Sequence, residues 1–205
     1  MNTPGHYILN LALLGKTISP TTWLPYSPKS NITMSTASFV IAVGAILPDL
    51  PIFIFYFVAK FIYKMPEGKI WSEAYYEPFW QNTVALFHSF PLALIGAAIC
   101  YRLNWQPGII LCISMVCHSL LDLPVHHDDA HRHFFPLSNY RFISPFSYWD
   151  TNHYGRIVAF VEMALVLGVN PIVLGLLNSP WTKGIIVAID MFYLFGYYRF
   201  YLSLG

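Results

Sequence analysis

His118 and Asp122 stand four residues apart at the end of an apolar run, GIILCISMVCHSLLD. On a helix that spacing puts both side chains on one face, about a turn apart. An imidazole and a carboxylate so placed can ligate one metal ion, by the geometry that makes two histidines at i, i+4 a zinc pair. They can equally satisfy each other as a buried hydrogen-bonded pair. Asp49, His88 and His6 bear on the choice, because each lies in or beside another apolar run and needs a partner. An ionisable side chain at the centre of a membrane span costs roughly 2.5–3.5 kcal/mol on insertion scales. A cation shared by Asp49 and Asp122 offsets that cost. Imidazole with carboxylate is a ligand set for zinc, or for manganese or iron with more oxygen donors.

The reading is therefore one or two divalent metals, with a metal-activated water delivered to an ester or phosphoester. Asp122 is the candidate to bridge two metals, since its carboxylate has two oxygens. Asp49 is either a ligand or the base that orients the attacking water. A lipid-like or small ester or phosphoester substrate follows from the depth of these groups in the apolar runs. The rival reading is a membrane protein that binds metal without hydrolysis, as a carrier, sensor or structural site.

Downstream, HHDDAHRHF at 126–134 carries four more of the chain's eight histidines. His127 and His131 repeat the i, i+4 spacing. His126 and His133 are expected as loop histidines, and Asp128 and Asp129 as solvated acids or helix caps. Asp150 and His153 either close over the site or cap the next helix. Glu162 is expected to pair with Arg156 or to line the same cavity, and Asp190 to pair with Arg199. Cys100, Cys112 and Cys117 show no C-x-x-C spacing and are expected as small buried hydrophobes.

The elements that position these groups are apolar helices. Hydrophobic residues make up 56% of the 205 and charged ones only 10%, against about a quarter charged in soluble proteins. The formal net charge of +1 offers no basic field for nucleic acid. Five windows are long enough for a membrane span of about 20 residues, range 17–25, namely 37–59, 84–101, 108–125, 157–177 and 184–202. Those at 84–101 and 108–125 are short enough to be re-entrant or buried behind the others. The expected fold is all-α, a polytopic membrane protein of 4–5 apolar helices plus a short N-terminal helix, enclosing a polar His/Asp site. The whole chain, 1–205, forms one domain on this reading. MNTPGHYILNLALLGK lacks the basic start of a signal peptide. Residues 17–35 read as a Ser/Thr/Pro-rich loop, and 60–81 as an interfacial loop whose aromatics suit the headgroup zone.

Two short echoes mark the positions of the site. His88-Ser89 and His118-Ser119 are both H-S pairs, and Asp49-Leu50-Pro51 and Asp122-Leu123-Pro124 are both D-L-P. Proline two residues after each acid disfavours continued helix, so each Asp is expected at a helix end or kink. Irregular backbone at membrane depth is tolerated inside protein or around a wet cavity. With the first span running outside to inside, seven of the eleven Lys and Arg fall on the side of the histidine-rich loop. The expected location is the inner or plasma membrane, with the site facing the cytoplasm.

Gly5-His6, the L-P-D at 47–49, His88-Ser89 and H-x-x-x-D at 118–122, in that order, resemble the LexA-regulated, inner-membrane metal-dependent hydrolase family over residues 1–150. Two of that family's common motifs are reduced here. P-D-x-D-H reads PDLPI, and H-R-G-x-T-H-S keeps only its closing His-Ser. The order of ligands is more distantly similar to that of helical zinc-dependent phospholipase C. That similarity implies zinc ligands at His6, Asp49, His88, His118 and Asp122, with later ones among His127, His131 and His153. The closing H-x-x-x-E of that fold is missing, since Ile157 stands four residues after His153.

Overall fold

The computed structural model describes residues 1–16 and 32–203. The loop expected over 17–35 lies largely outside the described residues, as does Lys29. The regular structure of the described residues is all helical, without a strand. In chain order the helices are α1 Thr3–Leu14, α2 Met34–Ile46, α3 Leu50–Phe57, α4 Glu67–Ser72 and α5 Pro78–Phe87. They continue as α6 Phe90–Arg102, α7 Gln106–Asp122, α8 Gly155–Leu176 and α9 Pro180–Tyr197.

Three stretches are long and apolar enough to cross a membrane: Met34–Ile62, Gly155–Leu176 and Pro180–Leu202. A fourth appears if α5 and α6, bent by 43° at His88-Ser89, count as one span. Window 108–125 resolves into α7, whose 17 residues rise ~26 Å at 1.5 Å each, just short of the ~30 Å hydrocarbon core. The expected 4–5 spans thus become three or four among the described residues. The reason is local: a histidine-serine pair breaks one window, and Asp122-Leu123-Pro124 stops another.

The first candidate span is itself interrupted. A 3₁₀ turn at Leu47–Asp49 joins α2 to α3. Pro48 has no N–H for the helical ladder there. Asp49 therefore stands at a helix junction, and Asp122 is the last residue of α7, so both D-L-P acids occupy helix ends.

The helices divide between two apolar cores. Ile8 and Leu11 of α1, Ile41 of α2, Val166 and Val173 of α8, and Ile186 and Tyr193 of α9 form the larger one. Phe55, Ala59, Ile70, Tyr75 and Val84 form the smaller, beneath the aromatic 60–81 segment. Close approach of α2 and α7 depends on Gly44. A Cβ there would sit 2.6 Å from the Leu111 carbonyl oxygen and from Ser114 Cβ. At the same crossing Ser114 Oγ donates to the Ile41 carbonyl (2.8 Å), and Asn10 Nδ2 donates to Ser114 Oγ (2.9 Å). Cys100 is buried and Cys112 and Cys117 are half-buried, all three as free thiols.

Candidate metal centre

His118 reaches the centre from α7, and the α2–α7 crossing fixes its ring. Its Nδ1 lies 2.7 Å from the Ala45 carbonyl oxygen, which can only accept, so Nδ1 carries the proton. His88 is fixed in the same way at the end of α5, with Nδ1 2.9 Å from the Val84 carbonyl oxygen. Both rings therefore turn Nε2 inward. His118 Nε2 lies 3.0 Å from Asp122 Oδ2 and 3.5 Å from Asp49 Oδ1. His88 Nε2 lies 3.7 Å from both Asp49 Oδ1 and Asp122 Oδ2. Neither Nε2 has a hydrogen-bond partner, although both are buried.

The serines of the two H-S pairs explain why the break at His88 is tolerated. Ser89 Oγ caps α6 by accepting from Leu92 N (3.2 Å) and donates to the Phe135 carbonyl on the long loop. Ser119 Oγ donates to the His88 carbonyl oxygen (3.1 Å), which the chain break leaves outside the helix ladder. Each pair couples one inward imidazole to one hydroxyl that satisfies backbone at the break.

The ligand-type atoms of Asp49, His88, His118 and Asp122 all lie within 4.8 Å of one another. Those of Asp122, His126 and His131 form a second such group. Asp122 belongs to both and divides its oxygens between them. Oδ2 faces His118 and His88, while Oδ1 lies 2.9 Å from His6 Nε2 and 3.1 Å from His126 Nε2. The Met1 amino nitrogen is 2.8 Å from the same Oδ1. His6 also stacks on His118 with ring centroids 3.6 Å apart. Gly5 lets α1 come this close to α9, because a Cβ there would stand 2.4 Å from the Tyr193 hydroxyl.

The loop 123–150 folds back over this end of the bundle. Phe90 N donates to the His133 carbonyl oxygen (2.8 Å), and Ser144 N to that of His126 (3.0 Å). Arg132 holds Asn82 and Arg141 holds Gln81, tying the loop to α5. His131 packs against His88 at 4.0 Å and His126 at 4.7 Å between ring centroids. Burial, with His88 and His126 nearby, keeps His131 well below its usual pKa, and burial first and His88 second hold His133 down at about 4. Both imidazoles are thus neutral at neutral pH, the form that ligates metal. Asp129 is not a free solvated acid. Its Oδ2 lies 3.0 Å from His126 Nδ1 and 3.2 Å from Trp149 Nε1.

Of the eight expected ligands, His6, Asp49, His88, His118, Asp122 and His131 come together here. His127 and His153 join neither group. They stack on each other at 3.6 Å, half-buried, with His127 Nδ1 2.5 Å from the Ser144 carbonyl oxygen and His153 Nδ1 2.6 Å from Asp150 Oδ2. Asp150 meanwhile caps the turn before α8, its Oδ1 accepting from Asn152 N (2.9 Å). His126 is the residue that spacing placed in the loop and the fold brings to Asp122. Its signal was present, because 118, 122 and 126 continue one four-residue step. Glu162 accepts from Tyr193, Asn2 N and Asn2 Nδ2 rather than pairing with Arg156. Asp190 accepts from Asn170 rather than meeting Arg199.

The donor chemistry fits a divalent cation. Nδ1–H bonds to backbone carbonyls are the usual outer support of ligating histidines. Imidazole nitrogen with carboxylate oxygen suits zinc, and suits manganese or iron where oxygen donors are added. Compared with known proteins, the chain matches no family model, no curated protein and no solved structure.

Proposed function

We propose that this chain is a membrane-embedded, metal-dependent hydrolase of an ester or phosphoester, as the resemblance of its motifs implies. One observation carries the reading: His88 and His118 spend Nδ1–H on backbone carbonyls and hold a buried, unpartnered Nε2 against Asp49 and Asp122. A bare lone pair facing a carboxylate oxygen is repulsive unless something positive lies between them. Neither Nε2 makes a hydrogen bond to these carboxylates: His88 lies 3.7 Å away, and His118, at 3.0 Å, is off the bonding direction. A metal cation asks only that the lone pairs converge.

Asp49, His88, His118 and Asp122 would hold the first ion. Asp122, through its other oxygen, would present a second position with His126 and His131 once the Met1 amino group, 2.8 Å from that oxygen and 2.9 Å from His126 Nε2, moves aside. A bound divalent metal, zinc by preference and manganese or iron by alternative, supplies Lewis acidity and lowers the pKa of a bound water towards 7. Asp49 has the most exposed side chain of the four, 12% against 0–1% for the others. Thr3 Oγ1 holds its Oδ2 at 2.5 Å. It is the carboxylate placed to orient an attacking water and take its proton. In the hydrolysis the water oxygen bonds to the acyl carbon or phosphorus, the ester C–O or P–O bond breaks, and the proton passes to the departing alkoxide. We place the site on the cytoplasmic side of the inner or plasma membrane, from the excess of Lys and Arg on the loop side.

Metal analysis of the purified protein, followed by an esterase and phosphodiesterase panel, tests this. The expected result is at least one equivalent of metal and turnover that chelation abolishes. Metal without turnover would favour the non-catalytic carrier, sensor or structural site, and absence of stoichiometric metal would sink both.

A further inference from the structure

A cavity of about 1130 Å³ lies between α2 and α9, with the start of α1 as its floor. On the α9 side Ile185, Ile189 and Phe192 line it, spaced i, i+4, i+7 and so on one face. On the other side Ala42 and Ile46 of α2 and Phe53 of α3 line it. Ile46, Phe53, Ile185 and Phe192 are 42–56% exposed, so both rims are apolar and open. Both walls belong to candidate spans, which turns that opening towards hydrocarbon.

The inner end of this groove stops one residue short of the metal centre, at Thr3, which bonds Asp49. Ile46 and Phe53 lie three residues before and four after Asp49, so the groove wall carries the residues one turn to either side of that carboxylate. Thr3, which lines the groove, is the residue that donates to Asp49 Oδ2. The far end is bounded by polar Ser35, Ser179 and Thr182. From Thr182 to Phe192 the helix rises ~15 Å at 1.5 Å per residue, about one leaflet of a ~30 Å core.

We propose that this groove binds one acyl chain of an amphiphilic substrate entering sideways from the bilayer, with its ester or phosphoester head at the Asp49 side of the centre. The proposal rests on the hydrolase reading for the fate of the head, while the acyl site itself stands on the groove. Apolar walls, a lateral opening and a polar inner end beside the Asp49 carboxylate match an amphiphile.

The test uses the full chain in phosphatidylcholine vesicles doped with lysophosphatidylcholine whose palmitoyl chain carries a diazirine. After photolysis, label is mapped by mass spectrometry, on metal-loaded and metal-free protein alike. The expected label concentrates on Ile185, Ile189 and Phe192 over the exposed Ile157 and Phe160 of α8. Ala42→Trp, which fills the groove, is expected to lower groove label about tenfold at unchanged metal content. Ile185→Trp, at a half-exposed rim position, gives the same direction should the first variant fold poorly. Equal label on groove and α8, or groove label that neither variant lowers, overturns the proposal. Turnover of palmitoyl over acetyl p-nitrophenyl ester is measured in parallel. Groove label without turnover of any ester leaves the acyl site standing and removes the hydrolase reading. Turnover without groove label does the reverse.

Discussion

His88 and His118 inside the bundle, and His127 on the loop above it with His153 in the turn before α8, are tethered by one device and serve different surroundings. In every case Nδ1 is held, by the Val84, Ala45 or Ser144 carbonyl or by the Asp150 carboxylate. In every case Nε2 is left for something else. The inner pair turns Nε2 into a buried space with two carboxylates, whereas the outer pair stacks ring on ring with its edges half in solvent. Tethering alone therefore does not make a ligand. What distinguishes the inner pair is convergence on carboxylates in a buried place where water compensates the charge poorly. Asp49 and Asp122 would be prohibitive there as lone anions, and His88 and His118 would be idle as lone bases. Together they define a space for positive charge.

The largest effect is expected where both groups meet. Asp122→Ala removes a donor shared by the two clusters and leaves His6, His118 and His126 facing an emptied space. Removing one member of a buried charged set costs about 3–5 kcal/mol. For a chain of this size that is roughly a 10 °C fall in melting temperature. Metal content should fall to background at the same time, read by elemental analysis. Retention of full metal in this variant would show that the two groups do not share a ligand, and the contrast between inner and outer histidines would lose its basis.

Ser119→Ala asks whether the support of the inner pair matters as much as its ligands. The hydroxyl touches no donor atom of either group; it satisfies the His88 carbonyl oxygen at the break between α5 and α6. Leaving that buried acceptor unpaired costs about 1–3 kcal/mol. Because loss of outer support typically weakens a metal site 10–100-fold, metal should still bind at saturation but release to a competing chelator roughly that much sooner. A chelator titration gives the ratio directly. An unchanged titration would mean that His88 is held by Val84 alone.

The sequence made the centre legible wherever the chemistry was local. The i, i+4 step from His118 to Asp122, and the D-L-P acids at helix ends, depend only on helix geometry and on proline. The break at His88-Ser89 was legible only as an echo, because the hydroxyl that makes it tolerable comes from Ser119 on another helix. His126 was hidden for a different reason. Pro124 ends the helical argument two residues before it, yet Val125 N returns to the Asp122 carbonyl (3.0 Å) and keeps the chain's direction for one more step. Asp129 was hidden more deeply, since its role depends on the loop path that brings Trp149 and His126 to it. Span counting suffered in the same way. Hydropathy registers apolar length, and a bent pair or a helix a few residues short has nearly the same average.

The smallest effect is expected on the outer pair, and it is the sharpest check on the comparison. His127 and His153 carry the residue type, the Nδ1 support and, for His127 and His131, the sequence spacing of ligands. They lack buried carboxylates in front of Nε2: the nearest acid to His127 Nε2 is Asp128 Oδ1 at 3.4 Å, on a side chain 67% exposed. Water solvates that edge whether or not a cation is near. His127→Ala and His153→Ala should therefore leave metal content and chelator release as in the unaltered chain. His153→Ala also frees Asp150, whose other oxygen still caps the turn before α8, so the cost should stay within the ~0.5 kcal/mol usual for surface changes. The double variant distinguishes one further case. If metal falls by one equivalent only when both are removed, the stacked pair holds an ion of its own, and tether plus stacking would suffice where convergence on carboxylates was thought necessary.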